Sequence, residues 1–174
     1  MTAEADSDWY DILSSCRALC GVADNVVLRS ENGRRGLFPI IQDQPFRLFI
    51  PDALLVNSDK FELRDAQLVL DETADVLPEI RTFIDDYHAR IAWKGGRAEA
   101  EDFLTGLNEL PYPLKKFLKE KFYFSDIFET PTEAQILDQF KTSRQYNHKG
   151  QTVQFAFLEL ANHHPKGVPF KSTE

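Results

Sequence analysis

Apolar residues recur along this chain at two spacings, and the spacing changes with position. Trp9, Ile12, Leu13, Cys16, Leu19 and Cys20 fall at intervals that place them on one face of a helix. Ser7 is a suitable cap for its start and Gly21 a suitable stop. Val26, Val27 and Leu28 then form a β-prone run, Asn32-Gly33 is the best hairpin signal in the chain, and Leu37 to Ile41 reads as the returning strand. A further strand from Phe46 to Ile50 is closed by Pro51. From Pro78, a favoured first helical residue, Ile80, Phe83, Ile84, Tyr87 and Ile91 make one stripe and predict a helix to about Trp93. Gly95-Gly96 should break it. A second helix, about Arg97 to Leu110, meets Pro111, and a third carries Leu114, Phe117, Leu118 and Phe122. The last starts at a capping box, Thr130-Pro131-Thr132-Glu133, carries Ile136, Leu137 and Phe140, and runs to about Arg144. After a polar loop, Val153, Phe155 and Phe157 alternate as in a strand.

The order is β, then helices, then β. Segregated blocks predict an α+β fold rather than an alternating parallel sheet, and a helical insertion inside a β-fold has the same pattern. The segments expected are 1–22, an N-terminal helix; 23–72, β-rich; 73–146, helical; and 147–174, a second β segment.

Composition narrows the class of function. A chain of 174 residues has the length of one domain. Lys and Arg number 20 against 28 Asp and Glu, a net charge of −8, which disfavours broad binding to phosphate backbones and so argues against nucleic acid as a partner. No apolar run reaches membrane-span length, and the acidic start is not a signal peptide, so no membrane partner is expected. Two cysteines, Cys16 and Cys20, share the predicted helix face instead of forming a disulfide framework, which points to a reduced, cytoplasmic chain.

Candidate chemistry is spread thinly. Glu31-Asn32-Gly33-Arg34-Arg35-Gly36-Leu37-Phe38 is punctuated by glycine, which suits either a plain hairpin or a backbone that approaches a ligand closely. Arg144, in Thr142-Ser143-Arg144-Gln145-Tyr146, either holds a carboxylate bidentately or faces the dipole of its own helix C-terminus. Asn162-His163-His164 invites a metal reading together with His148, but no second ligand pair has metal spacing, and none is assigned. Lys115, Lys116, Lys119 and Lys121 read as a solvated helix face. No nucleophile elbow occurs.

Taken in order, these pieces resemble a SET-domain protein of the class with a helical insertion, such as Rubisco large-subunit methyltransferase. Arg35-Gly36-Leu37-Phe38 is similar to the family's Arg-Gly-Leu-Phe hairpin, and Phe49-Ile50-Pro51-Asp52-Ala53-Leu54-Leu55 to its proline-ended strand. Ser143-Arg144-Gln145-Tyr146 resembles its Ser-Arg-x-aromatic box, and Phe157-Leu158-Glu159-Leu160-Ala161-Asn162-His163 its Asn-His segment. The resemblance implies a SET-like β-fold of short strands with an α-helical insertion, binding S-adenosylmethionine and methylating a protein lysine. It implies cofactor contacts from Arg35, Gly36, Leu37 and Phe38 of the hairpin, from Arg144 to the cofactor carboxylate, from Glu159, from Asn162 at its amino-acid end, and from the His163 backbone to adenine. The substrate expected is a protein with a basic or lysine-bearing segment.

The chain also departs from the family. It holds no Gly-Glu pair, and Tyr146 lies before the Asn-His box, not after it where the family places the tyrosine of its methyl-transfer channel. The resemblance therefore implies the front of a SET domain whose C-terminal part is missing, either a fragment or a shortened form, and no efficient methyl transfer by these residues alone. The alternative is a non-catalytic SET-like interaction module.

Overall fold

The computed structural model describes residues 3–31, 34–122 and 130–161. The expected Asn32-Gly33 turn and Asn162, His163 and His164 lie outside them. The fold is mixed α and β, about half helical and about a quarter strand, with small open sheets.

Helix α1 spans Ala3–Ala18 and buries Trp9, Ile12, Leu13 and Cys16. It begins before Ser7, so Ser7 does not cap it. Cys20, not Gly21, takes the left-handed conformation at its end, with φ 65°, and is exposed instead of continuing the Cys16 face. Gly21 is required for space, since a Cβ there would lie 2.3 Å from Cys16 Sγ.

Strand β1 (Val22–Asp24), β2 (Val26–Glu31), β3 (Arg34–Pro39) and β4 (Arg47–Phe49) follow, with β1 antiparallel to β4 and β2 antiparallel to β3. Three short strands come next: β5 (Val56–Asn57), β6 (Phe61–Arg64) and β7 (Gln67–Leu70). The β6–β7 hairpin turns through Asp65 and Ala66, both left-handed at φ 52° and 62°, without the glycine such turns favour. The Trp93 indole donates to the Ala66 carbonyl at 2.9 Å and holds the turn in place.

Helix α2 (Pro78–Tyr87) buries the expected stripe of Ile80, Phe83, Ile84 and Tyr87. It does not end near Gly95. One π-helical turn, His88–Ala92, leads straight into α3 (Trp93–Glu109). The expected glycine break fails because both glycines serve close packing. A Cβ at Gly95 would meet the Arg35 guanidinium at 2.3 Å, and one at Gly96 the Phe140 ring at 2.5 Å. Pro111 does end α3, and α4 (Tyr112–Phe122) follows, with Tyr112, Leu114 and Phe117 exposed.

Helix α5 (Glu133–Arg144) packs along α3. Its capping box lies two residues later than the sequence suggests. Thr132 caps it, because Gln135 can return the second bond: Gln135 N–H donates to Thr132 Oγ1 at 3.3 Å, and Thr132 N–H to Gln135 Oε1 at 2.9 Å. The expected polar loop is instead strand β8 (Gln145–His148), which turns through Lys149-Gly150 into β9 (Gln151–Gln154). Phe155 and Phe157 lie beyond β9, where the chain turns.

All the strand pairings described are antiparallel. β5, which precedes the helical block, pairs with β9, which follows it: Val56 lies opposite Gln154 and Asn57 opposite Val153. The core centres on the ring of Phe157, whose centroid lies 5.5 Å from that of Trp9, 5.1 Å from Tyr87 and 6.3 Å from Phe83.

The glycines of α3 give a direct test. Gly96→Ala should cost about 1–3 kcal/mol through overpacking against Phe140. Gly106, with open space around the Cβ position, should gain roughly 0.5–1 kcal/mol as alanine from helix propensity alone. Urea unfolding of the two variants should move in opposite directions.

Candidate charged site

Two sequence-separated candidates, Arg35 and Arg144, meet at a residue that the sequence did not mark, and Arg144 leads on to a third, Glu159. Glu99 projects from α3 between two arginines. Arg35 Nε of β3 meets its Oε1 at 2.9 Å, and Arg144 Nη2 at the end of α5 meets its Oε2 at 2.7 Å. Arg35 is further fixed by the π-turn, donating through Nη1 to the Ile91 carbonyl at 2.7 Å and through Nη2 to that of Ala92 at 3.5 Å. Arg144 lies over the Phe140 ring, 4.5 Å from its centroid, and donates to Ser143 Oγ at 2.8 Å.

The chain of charges continues inward. Arg144 Nε stands 3.4 Å from Glu159 Oε2, close enough to pair charge but without hydrogen-bond alignment. Glu159 Oε1 accepts from the Tyr87 hydroxyl at 2.6 Å, and that hydroxyl accepts from the Phe157 N–H at 2.8 Å. Side-chain exposure falls along this path, from 43% at Glu99 to 11% at Arg144 and 2% at Glu159, with Arg35, on the other oxygen of Glu99, at 19%. Burial raises the Glu159 pKa, against the opposing effects of the Tyr87 bond and the Arg144 charge. Burial, then the Glu159 charge, pushes the Tyr87 phenol well above its usual value.

Beside this path lies a narrow cavity lined by His88, Gln154, Glu159 and the rings of Phe61, Tyr87 and Phe155. Its polar lining is undersatisfied. His88 Nδ1, both amide atoms of Gln154 and Glu159 Oε2 have no hydrogen-bond partner, although His88 and Gln154 are buried. Such a cavity suits ordered water, which commonly satisfies groups of this kind. Burial depresses the His88 pKa to about 3, with the Arg144 charge adding to the effect, so the ring is neutral.

The hairpin candidates Gly36, Leu37 and Phe38 form the middle of β3, opposite Arg29, Leu28 and Val27. Gly36 and Leu37 are buried and Phe38 is half-buried. Arg35, Arg144 and Glu159 are thus brought together, whereas Asn162 and His163 lie outside the described residues. His148, the described member of the histidine set weighed for metal, instead faces Asp52 at 3.6 Å. Among the described residues, no group of three or more His, Cys, Asp or Glu is arranged to hold a metal ion, and no helix is long and apolar enough to cross a membrane.

Glu99, Tyr87, His88 and Gln154 were missed as site residues. Tyr87 reads as one more member of an apolar stripe, and Glu99 as a solvated helix position. The available signal was Gly95-Gly96, where adjacent glycines inside a helical pattern mark close approach by other groups. No family model, curated protein or solved structure matches the chain.

Neutral buried His88 makes stability depend on pH. Below pH 6.5 the unfolded chain takes up a proton that the folded chain refuses until about pH 3, so this residue draws stability down as pH falls through that window. The stability of His88→Leu relative to wild type should therefore improve steadily between pH 7 and pH 4.5. A difference independent of pH, measured by urea titration, would remove His88 as the cause.

Proposed function

We propose that the chain is the cofactor-binding front of an S-adenosylmethionine-dependent protein-lysine N-methyltransferase of the SET class, as a fragment or shortened form. The observation that carries this reading is the meeting of Arg35, Arg144 and Glu159, from three separate motif pieces, in one charged corner just before the segment that continues into Asn162 and His163. The fit of the cofactor to these residues is best at its carboxylate. Arg144 is held in a fixed orientation by Phe140 and Ser143, and its Nη2 already meets a carboxylate, that of Glu99. In this reading Arg144 holds the cofactor carboxylate, the β3 backbone lines the cofactor, and Asn162 and His163 complete its contacts.

The cofactor supplies an activated methyl group on sulfonium. That methyl would pass to a neutral lysine amine of the substrate protein, leaving a neutral thioether and a methylammonium that gives up its proton to water. Such a displacement depends on alignment more than on acid–base help. The net charge of −8 suits a substrate whose lysine lies in a basic segment.

A second reading, a non-catalytic SET-like interaction module, is favoured by one observation: Arg144 is already matched by Glu99 and Glu159. Titration calorimetry with S-adenosylmethionine, paired with labelled methyl transfer to a protein lysate, separates the two. The enzyme reading expects micromolar binding, weakened at least about tenfold in Arg144→Ala and in Asn162→Ala by loss of charged and polar contacts. Undiminished binding by both variants would refute it. Absence of cofactor binding would favour the module, whereas binding with little transfer is what the enzyme reading expects of these residues alone.

A further inference from the structure

We propose that Arg35 and Arg144 form a two-arginine seat for a ligand carboxylate, and that Glu99 fills this seat as an internal ligand which an external carboxylate must displace. The proposal deepens the reading above and rests on it for the identity of the ligand. Its basis is geometric. Each oxygen of Glu99 receives one guanidinium, at 2.9 Å from Arg35 and 2.7 Å from Arg144, so one carboxylate is shared by arginines from two different elements.

The seat does not depend on Glu99 for its shape. Arg35 keeps its bonds to the Ile91 and Ala92 carbonyls without it, and Arg144 keeps Ser143, the Phe140 ring and the charge of Glu159. The approach of both arginines to α3 is built into the backbone. A Cβ at Gly95 would lie 2.3 Å from the Arg35 guanidinium, and one at Gly96 would lie 3.1 Å from Arg144 Nη2. Of the three side chains, Glu99 is the one with substantial water access, at 43%. It can therefore leave toward solvent without opening the core.

Charge points the same way. With Glu99 in place, two guanidiniums are balanced by Glu99 and Glu159. When Glu99 leaves, one positive charge is uncompensated and an external carboxylate restores the balance. Two guanidiniums held in place, each aiming one N–H at a different oxygen of the same carboxylate, make two charge-assisted hydrogen bonds to it. Glu99 thus acts as a built-in competitor, and its removal should tighten binding of the right ligand instead of weakening it. A purely structural ion pair would behave in the opposite way.

The test uses the whole chain and its Glu99→Ala variant, with folding checked by thermal melting. S-adenosylmethionine should bind about tenfold more tightly to Glu99→Ala, whereas 5′-methylthioadenosine, which lacks the carboxylate, should bind both proteins equally. Adding Arg144→Ala to the variant should abolish the gain. Wild-type binding of S-adenosylmethionine that is unchanged or weakened in Glu99→Ala would overturn the proposal and leave the enzyme reading standing. In parallel, malonate is titrated while the side-chain NMR signals of Arg35 and Arg144 are followed. Both should shift at lower malonate concentration in Glu99→Ala. If they do so while S-adenosylmethionine binds neither protein, the seat stands and the methyltransferase reading falls. If they shift equally in both proteins, or in neither, the seat is refuted.

Discussion

The hydroxyl of Tyr87 carries two hydrogen bonds in the buried interior, and much of the fold depends on them. It donates to Glu159 and accepts from the backbone N–H of Phe157. The second bond anchors a residue whose backbone is left-handed at φ 66°, an unfavourable conformation for a bulky side chain. The strain is repaid by position: with the chain turned at that point, the Phe157 ring fills the space between Trp9, Phe83 and Tyr87. Without the hydroxyl, one backbone donor and one carboxylate oxygen would be buried and unpaired, at a cost of about 1–3 kcal/mol each.

That bond also explains why a carboxylate can be tolerated at 2% exposure. A buried charge alone is costly, and Glu159 avoids isolation by having Tyr87 on one oxygen and Arg144 beside the other. Arg144 in turn connects to Glu99, which reaches solvent. Hydrophobic packing around Phe157 and the charged path to the surface therefore share one residue pair, and neither is arranged independently of the other.

Much of the helical architecture was legible in the sequence. The α2 stripe from Ile80 to Tyr87 and the stop at Pro111 follow from periodicity and proline chemistry. The errors have particular causes. Gly95 and Gly96 carry no side chain that would reveal whether they break a helix or admit neighbours, and only the positions of Arg35 and Phe140 decide it. The Asp65-Ala66 turn lacks a glycine signal because Trp93, distant in sequence, stabilises it. Strand β8 looks like a loop because three of its four residues, Gln145, Asn147 and His148, are polar. For the charged site, Arg35, Arg144 and Glu159 could be picked out from the chain, but not the common partner of the two arginines. Glu99 has the sequence context of any solvated helix position, and its role comes entirely from tertiary placement.

The β5–β9 pairing has a consequence for how the chain reaches its native state. The paired strands lie on either side of the entire helical block, so their register can form only after that block has become compact enough to bring its ends together. Local helices and hairpins form quickly, whereas such a distant closure carries a large entropic barrier that grows only slowly with further length. Assembly should thus run from the helical block outward, with the sheet locking last. Once the ends are joined, the strand pair is largely indifferent to what the intervening segment contains. A fold closed in this way can accept changes in its helical middle while the two flanking strands keep the same partners.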